Sequence, residues 1–506
     1  MSLLGIDVGT TGTKAAAFTT GGHQLASAYV EYDFRHPAPG WAELDSAEVW
    51  RLIQDAIRRV VADTASDPIR AISVSSMGEA MVPVSQDRQI LGPSINPNFD
   101  LRGEGCLQLL ASEMDNERLY RLNGNTLGHH YSLPTLKWLK EHQPDRYRGT
   151  HKFLLWGSLV PYMLGAEPGV DFSLANRTLL FDLEQGDWSP ELLDWAGLDR
   201  DKLPDTTPSG TMLGRVSRQA AEDLGLSPGV VLVAGCHDQC ANAVGCGVIQ
   251  EGQAVYGMGT FFCITPVFGQ RRDPALMLER GLNTEHHAVP GLYVSFLYNP
   301  GGVLVKWYRD TFAALDHARA QRAGTDIYED LFAEMPEGPG RVLVLPHFAP
   351  TGPPGFIADS RGVMVGLQLQ TTRGDILKGL IEGIAFYLKE VVDSLPATGI
   401  QIQEYRATGG GAKSAAWIQV LADIMGQPVI RPRVTEAGAL GAAILAGVGS
   451  GAFASFREGV EAMVDLDRTF EPDPGRHQQY QQRFQKHRDL WPLLQDYLRE
   501  LAANGA

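Results

Sequence analysis

The chain has 506 residues, 44% of them hydrophobic, enough for large cores and more than the about 250 to 300 residues at which single cores stop growing. Its formal net charge of −16 argues against a non-specific nucleic-acid binder, since phosphate backbones are held by basic surfaces. The five cysteines, Cys106, Cys236, Cys240, Cys246 and Cys263, are odd in number and suit a reducing compartment, and no apolar run approaches the about 20 residues of a membrane span, so the expectation is a cytoplasmic protein with no nucleic-acid or membrane partner and no disulfide framework.

The stretch Leu3-Leu4-Gly5-Ile6-Asp7-Val8-Gly9-Thr10-Thr11-Gly12-Thr13-Lys14 leads into Ala15–Phe18 and reads as strand, tight turn, strand. Backbone N–H groups, threonine hydroxyls and the Lys14 ammonium suit phosphate oxygens. A bare Asp7 carboxylate beside phosphate would repel it unless hydrated Mg²⁺ stands between them; the bland alternative is a Gly/Thr turn with a solvated Asp. The dinucleotide pattern Gly-x-Gly-x-x-Gly and the P-loop Gly-Lys-Ser/Thr both fail here, because Lys14 follows Thr13.

Asp45 and Glu48 have capping-box spacing, and Val49, Leu52, Ile53, Ala56, Ile57, Val60 and Val61 recur at helical spacing. Ile69–Val74 follows as a strand, which suggests a layered α/β domain and delivers Met77, Gly78 and Glu79 to a loop at the strand's carboxyl end. Asn96–Arg102 is Pro/Asn-rich and irregular; Asp100 and Arg102 are placed either to bond hydroxyls or to pair with each other. Leu136–Lys140 ends a helix, and residues 150–215 resolve into no topology.

The apolar run Gly229–Gly235 ends in Cys236-His237-Asp238, with Asp238 where a helix starts. A helix N-terminus favours the ionised carboxylate, able to take a proton from a substrate hydroxyl; a simple N-cap is the bland alternative. A zinc site from Cys236, His237, Cys240 and Cys246 lacks a second ligand pair. Ala254–Ile264 repeats the opening pattern around Gly257-Met258-Gly259-Thr260, which suggests a duplicated α/β domain. Gly409-Gly410-Gly411-Ala412-Lys413-Ser414 would admit a flat ring close to the backbone, and a helix follows to Gly426. Glu436–Ala446 is a small-residue helix suited to backbone-close packing at a domain junction, and Arg476–Leu501 is polar and helical with Pro492 interrupting it.

Together the Asp7–Lys14 loop, Gly235–Asp238, Gly257–Thr260, and Gly409–Ser414 with Trp417 and Asp423 resemble the FGGY family of carbohydrate kinases over most of the chain. The resemblance implies an α/β fold of two actin-like, ribonuclease H-like domains with a nucleotide and sugar cleft between them. Residues 1–247 would be the sugar-binding domain with the phosphate loop, 248–490 the nucleotide-binding domain and 491–506 a helical tail. It also implies Asp238 as general base, Asp7 as the Mg²⁺ residue, and Thr10, Thr11, Thr13, Lys14, Gly259 and Thr260 at the phosphates of ATP. Gly302, Gly409, Gly410, Gly411, Ala412 and Lys413 would border the nucleoside, and Met77, Gly78, Glu79, Asp100, Arg102 and Asp238 the acceptor.

The partner would be a small-molecule sugar or polyol, and a homodimer is left open. Length and layout are similar to xylulokinases, but those place Met-His where Gly78-Glu79 stands here. A carboxylate accepts hydrogen bonds from hydroxyls and donates none, so Glu79 favours a neutral ketose or polyol; the resemblance implies a pentulose such as xylulose first. Glycerol, erythritol and gluconate are the alternatives. An actin-like ATPase or non-catalytic ATP-binding protein is the alternative of another class.

Overall fold

The structure, a computed structural model, describes residues 2–504 apart from His129, Pro354 and Thr435. The expected first hairpin forms: Ser2–Val8 pairs antiparallel with Gly12–Thr19, from Ser2 against Thr19 to Val8 against Thr13. Ile69–Ser76 lies parallel on the other side of Ser2–Val8, and Val231–His237 lies parallel beyond it. Antiparallel strands Gln24–Glu31 and Met212–Arg215 close the two edges of this six-stranded sheet. Helix Ser46–Asp63 is capped by Asp45, which accepts from the Glu48 N–H at 3.0 Å. Its Val49, Ile53, Ile57 and Val60 join Leu4, Ile6 and Val74 in one buried cluster.

The second half repeats the plan. Gln253–Met258 pairs antiparallel with Phe261–Phe268 and parallel with Glu404–Thr408, and Val429–Pro432 follows parallel beyond. Leu297–Pro300 and Leu466–Phe470 flank the set antiparallel, in the places that Gln24–Glu31 and Met212–Arg215 hold in the first sheet. Two related α/β sheets of this order make up the actin-like fold.

Helices Asp238–Gly245 and Ala437–Gly449 lie between the sheets and meet at glycines. A Cβ on Gly245 would stand 1.9 Å from the Ala437 carbonyl oxygen, and one on Gly441 2.0 Å from that of Ala241. Gly5 brings the first strand equally close, since its Cβ would stand 1.8 Å from the Ala439 oxygen. The small-residue helix therefore packs backbone to backbone at the junction, as its composition suggests.

Between Ser76 and Met212 the chain inserts a lobe with a separate core around Tyr131, Leu133, Phe181 and Trp188. The helix read as ending at Lys140 runs from Ser132 to His142. The tail differs from the sequence reading: helix Pro474–Arg488 ends before Asp489, and Pro492 lies in the first turn of helix Leu490–Asn504, where its missing N–H leaves no bond unmade. Residues 505 and 506 of the expected tail lie outside the described residues.

Candidate active site

In the first hairpin the Gly9 N–H donates to the Gly12 carbonyl at 2.9 Å, and the Tyr32 hydroxyl donates to the Gly9 carbonyl at 2.7 Å. Thr10 is half-buried and Thr11 exposed at the turn. Thr13 is different. Its side chain is buried, with Oγ1 3.0 Å from Tyr32 Oη, so this hydroxyl braces the turn and does not line the cleft.

Asp7, near the end of its strand, accepts from Ser75 Oγ at 2.7 Å, and Lys14 Nζ reaches Glu436 Oε1 at 3.2 Å. Asp7, Gly9, Gly12, Lys14 and Glu436 line a cavity of about 420 Å³. Burial pushes the Asp7 carboxyl up to about 6; Ser75 opposes this and Glu436 adds to it.

Strand register brings the second carboxylate in. Ser75 pairs with Asp7 on one side and with Cys236 on the other, so the end of Val231–His237 sets Asp238 into the same cleft. The ionised form that a helix start favours is opposed here: Asp238 is pushed up to about 7, by burial first and then by the Asp7 and Glu79 carboxylates. Being desolvated beside like charges outweighs one helix terminus. His237 Nε2 lies 3.2 Å from Asp238 Oδ1, and burial with the nearby Arg177 holds that imidazole neutral.

The glycine stretches of the second half converge. The Gly302 N–H donates to the Gly259 carbonyl at 3.0 Å, and the Gly301 and Val303 N–H groups donate to the Thr260 carbonyl. Gly409 has φ of 89°, and a Cβ there would stand 3.0 Å from the Met258 carbonyl and 3.2 Å from the Gly259 nitrogen. Only a glycine allows that approach without strain. Gly410–Lys413 forms a 3₁₀ turn, and Ser414 caps helix Ala415–Met425 by accepting from the Trp417 N–H at 3.2 Å. Gly409, Ala412 and Lys413 border a cavity of about 300 Å³ with Arg431 and Arg433.

The acceptor residues divide. Met77 is core, its N–H bonded to the Val8 carbonyl at 2.9 Å. Asp100 does not offer acceptors to a ligand: Oδ2 takes the Ala42 N–H at 2.7 Å and Oδ1 the Arg102 N–H at 2.9 Å. Arg102 binds Asp100 and Glu43 and stacks over Trp41 at 4.0 Å. Of the two readings of this pair, mutual pairing is what forms.

Glu79, with φ of 68°, is buried against Arg177, whose Nε donates to Oε1 at 2.5 Å. Arg177 Nη1 reaches Glu285 Oε1 at 2.7 Å, and Asn98 Nδ2 lies 3.4 Å from Glu79 Oε2. Burial raises both carboxyls and Arg177 opposes it. The sequence reading missed Arg177 and Glu285. Arg177 follows a five-residue helix, Phe172–Asn176, too short to carry a periodic signal, within the stretch that reads as topologically unresolved.

Among the described residues no cluster of three or more His, Cys, Asp or Glu side chains is placed to hold a metal, and no helix is long and apolar enough to cross a membrane. The residues present do fit Mg²⁺ bound with a nucleotide: Asp7 lines the cavity with Lys14 and acts on Asp238 as a like charge, and Mg²⁺ is held by one or two carboxylates, phosphates and its own waters without an all-protein cage.

A duplicated α/β fold with two glycine turns and two carboxylates on one cleft is that of the actin-like class. Residues 2–245 match the N-terminal domain, and 255–450 the C-terminal domain, of the FGGY family of carbohydrate kinases, and the chain belongs to that family. It is an ATP-dependent sugar kinase, a phosphotransferase with an alcohol group as acceptor, and the non-catalytic alternative is set aside.

Autoinducer-2 kinase of Escherichia coli (strain K12) is 33% identical over 519 residues, covering 98% of this chain and 94% of that protein. The xylulose kinase from Rhodospirillum rubrum superposes with a TM-score of 0.86 at 26% identity, covering 98% of this chain and 100% of that one. Glycerol kinase of Plasmodium falciparum with ADP shares the fold, with a TM-score of 0.85 at 21% identity over 96% of this chain and 97% of the other.

Proposed function

We propose that this enzyme transfers the γ-phosphoryl group of ATP to a hydroxyl of a small, neutral, polyhydroxylated acceptor, with autoinducer-2 the first candidate and xylulose the second. The carrying observation is the convergence of Asp7, Asp238 and Glu79: both other carboxylates act on Asp238 and help to poise it at about 7. A base with that value accepts a proton near neutral pH without being trapped as the acid. In this reading Asp238 deprotonates the acceptor hydroxyl, and Thr10, Thr11, Lys14, Gly259 and Thr260 hold the phosphates. Gly302 and Gly409–Lys413 border the nucleoside, and Glu79 reads an acceptor hydroxyl. Asp7 would hold Mg²⁺, which would supply neutralisation of phosphate charge, and positioning by the chain supplies most of the rest. The boundary between the two domains is placed near residue 248.

Autoinducer-2 is put first because the autoinducer-2 kinase is 33% identical over 98% of this chain, and xylulose second because the xylulose kinase superposes over 98% of it. The test is ADP release with autoinducer-2, xylulose, glycerol, erythritol and gluconate. Autoinducer-2 should show the highest kcat/KM, and Glu79→Gln should raise the KM for it. Preference for gluconate would overturn the neutral-acceptor reading, and preference for xylulose would reverse the ranking.

A further inference from the structure

The segment Asp171–Arg177 touches three separate parts of the chain. Asp171 Oδ1 accepts from Ser173 Oγ, and that hydroxyl oxygen accepts the His237 N–H at 2.9 Å, next to Asp238. Asn176 Oδ1 accepts the His286 N–H at 3.1 Å, tying the segment to the second half of the chain. Arg177 then lies along Gly78: a Cβ on Gly78 would stand 2.9 Å from both Cβ and Cγ of Arg177, so a side chain at position 78 and this placement of the arginine exclude each other.

We propose that Arg177 is the specificity-setting positioning residue of the acceptor site, acting through Glu79. Its stem fills the space left by Gly78, and its fork holds Glu79 Oε1 on one side and Glu285 Oε1 on the other. A carboxylate gripped at one oxygen by a fork that is itself anchored cannot rotate, so Oε2 is presented in one direction. Its remaining contact, from Asn98 at 3.4 Å, is long. Lysine has the charge but not the planar fork, and holds Glu79 and Glu285 in no fixed relative geometry. A fixed acceptor discriminates strongly against an analogue that lacks the matching hydroxyl, because the buried oxygen is then left unpaired. The proposal rests on the acceptor reading above only in taking Glu79 as the carboxylate that faces the acceptor.

The test is a double-mutant cycle of Arg177→Lys and Glu79→Gln, run with whichever acceptor the wild type uses best and with its deoxy analogues. Arg177→Lys should raise the acceptor KM about tenfold, leave the KM for ATP within about twofold, and narrow the kcat/KM preference for the acceptor over the deoxy analogue. Added to Glu79→Gln, it should do little more, because its effect passes through that carboxylate. Arg177→Gln serves in the same cycle if the lysine variant is insoluble. An unchanged acceptor KM, or KM effects that simply multiply, would overturn the proposal while the wild-type activity stands. A wild type that phosphorylates no acceptor of the panel overturns the acceptor reading, and this proposal with it.

Discussion

Lys14 Nζ lies 3.2 Å from Glu436 Oε1, an ion pair that ties the first hairpin to the residue just ahead of helix Ala437–Gly449, 422 positions later. Both side chains are partly exposed, so the pair contributes on the order of 0 to 1 kcal/mol to stability. Its site on the phosphate cavity matters more. Lys14→Met should change Tm by no more than a few degrees and weaken ATP binding about tenfold, read by calorimetric titration. Unaltered ATP affinity would remove Lys14 from the phosphate site.

Asp238→Asn should retain ATP binding and lose about 10² to 10⁴ in turnover. Because the wild-type carboxyl is raised to about 7, kcat/KM should fall as pH drops below that value. Stability runs the other way. In metal-free protein a carboxyl raised from 3.8 to about 7 binds more protons folded than unfolded between those values, so its stabilising contribution is lost as pH rises through that window. Asp238→Asn should therefore gain Tm relative to wild type at pH 8 and not at pH 4; equal differences at both would show that the carboxyl is not raised.

A Cβ on Gly438 would stand 2.7 Å from Asp7 Oδ2. Gly438→Ala improves helix propensity by about 1 kcal/mol and crowds the carboxylate, so the net change in stability should be small while Asp7 is displaced. The Mg²⁺ concentration for half-maximal activity should rise several-fold, with the acceptor KM little affected. If only the acceptor KM moves, Asp7 serves the acceptor and not the metal.

Thr13→Val removes the hydroxyl that faces Tyr32 Oη at 3.0 Å. The expected loss is about 1 kcal/mol in urea unfolding, with the KM for ATP unchanged. A large rise in that KM would restore Thr13 to the phosphate contacts that the sequence suggested.

Local chemistry made much of this protein legible in one dimension. Both hairpins, the helix from Asp45, the strand end at Asp238 and the helix that follows Ser414 follow from turn glycines, capping side chains and hydrophobic period, all of which act within a few residues. The duplicated plan and the junction helix follow from repetition of those signals. Folding alone decided which side chains meet. Thr13 turns inward because its strand pairs Thr13 with Val30 and sets Oγ1 against Tyr32. Asp100 spends its oxygens on Ala42 and Arg102. Arg177 reaches Glu79 and Glu285 across 98 and 108 positions from a five-residue helix. The poise of Asp238 was decided in the same way: a helix start is a local feature that favours the ionised form, but burial and two carboxylates from a distant strand and a distant loop are not local, and they act against it.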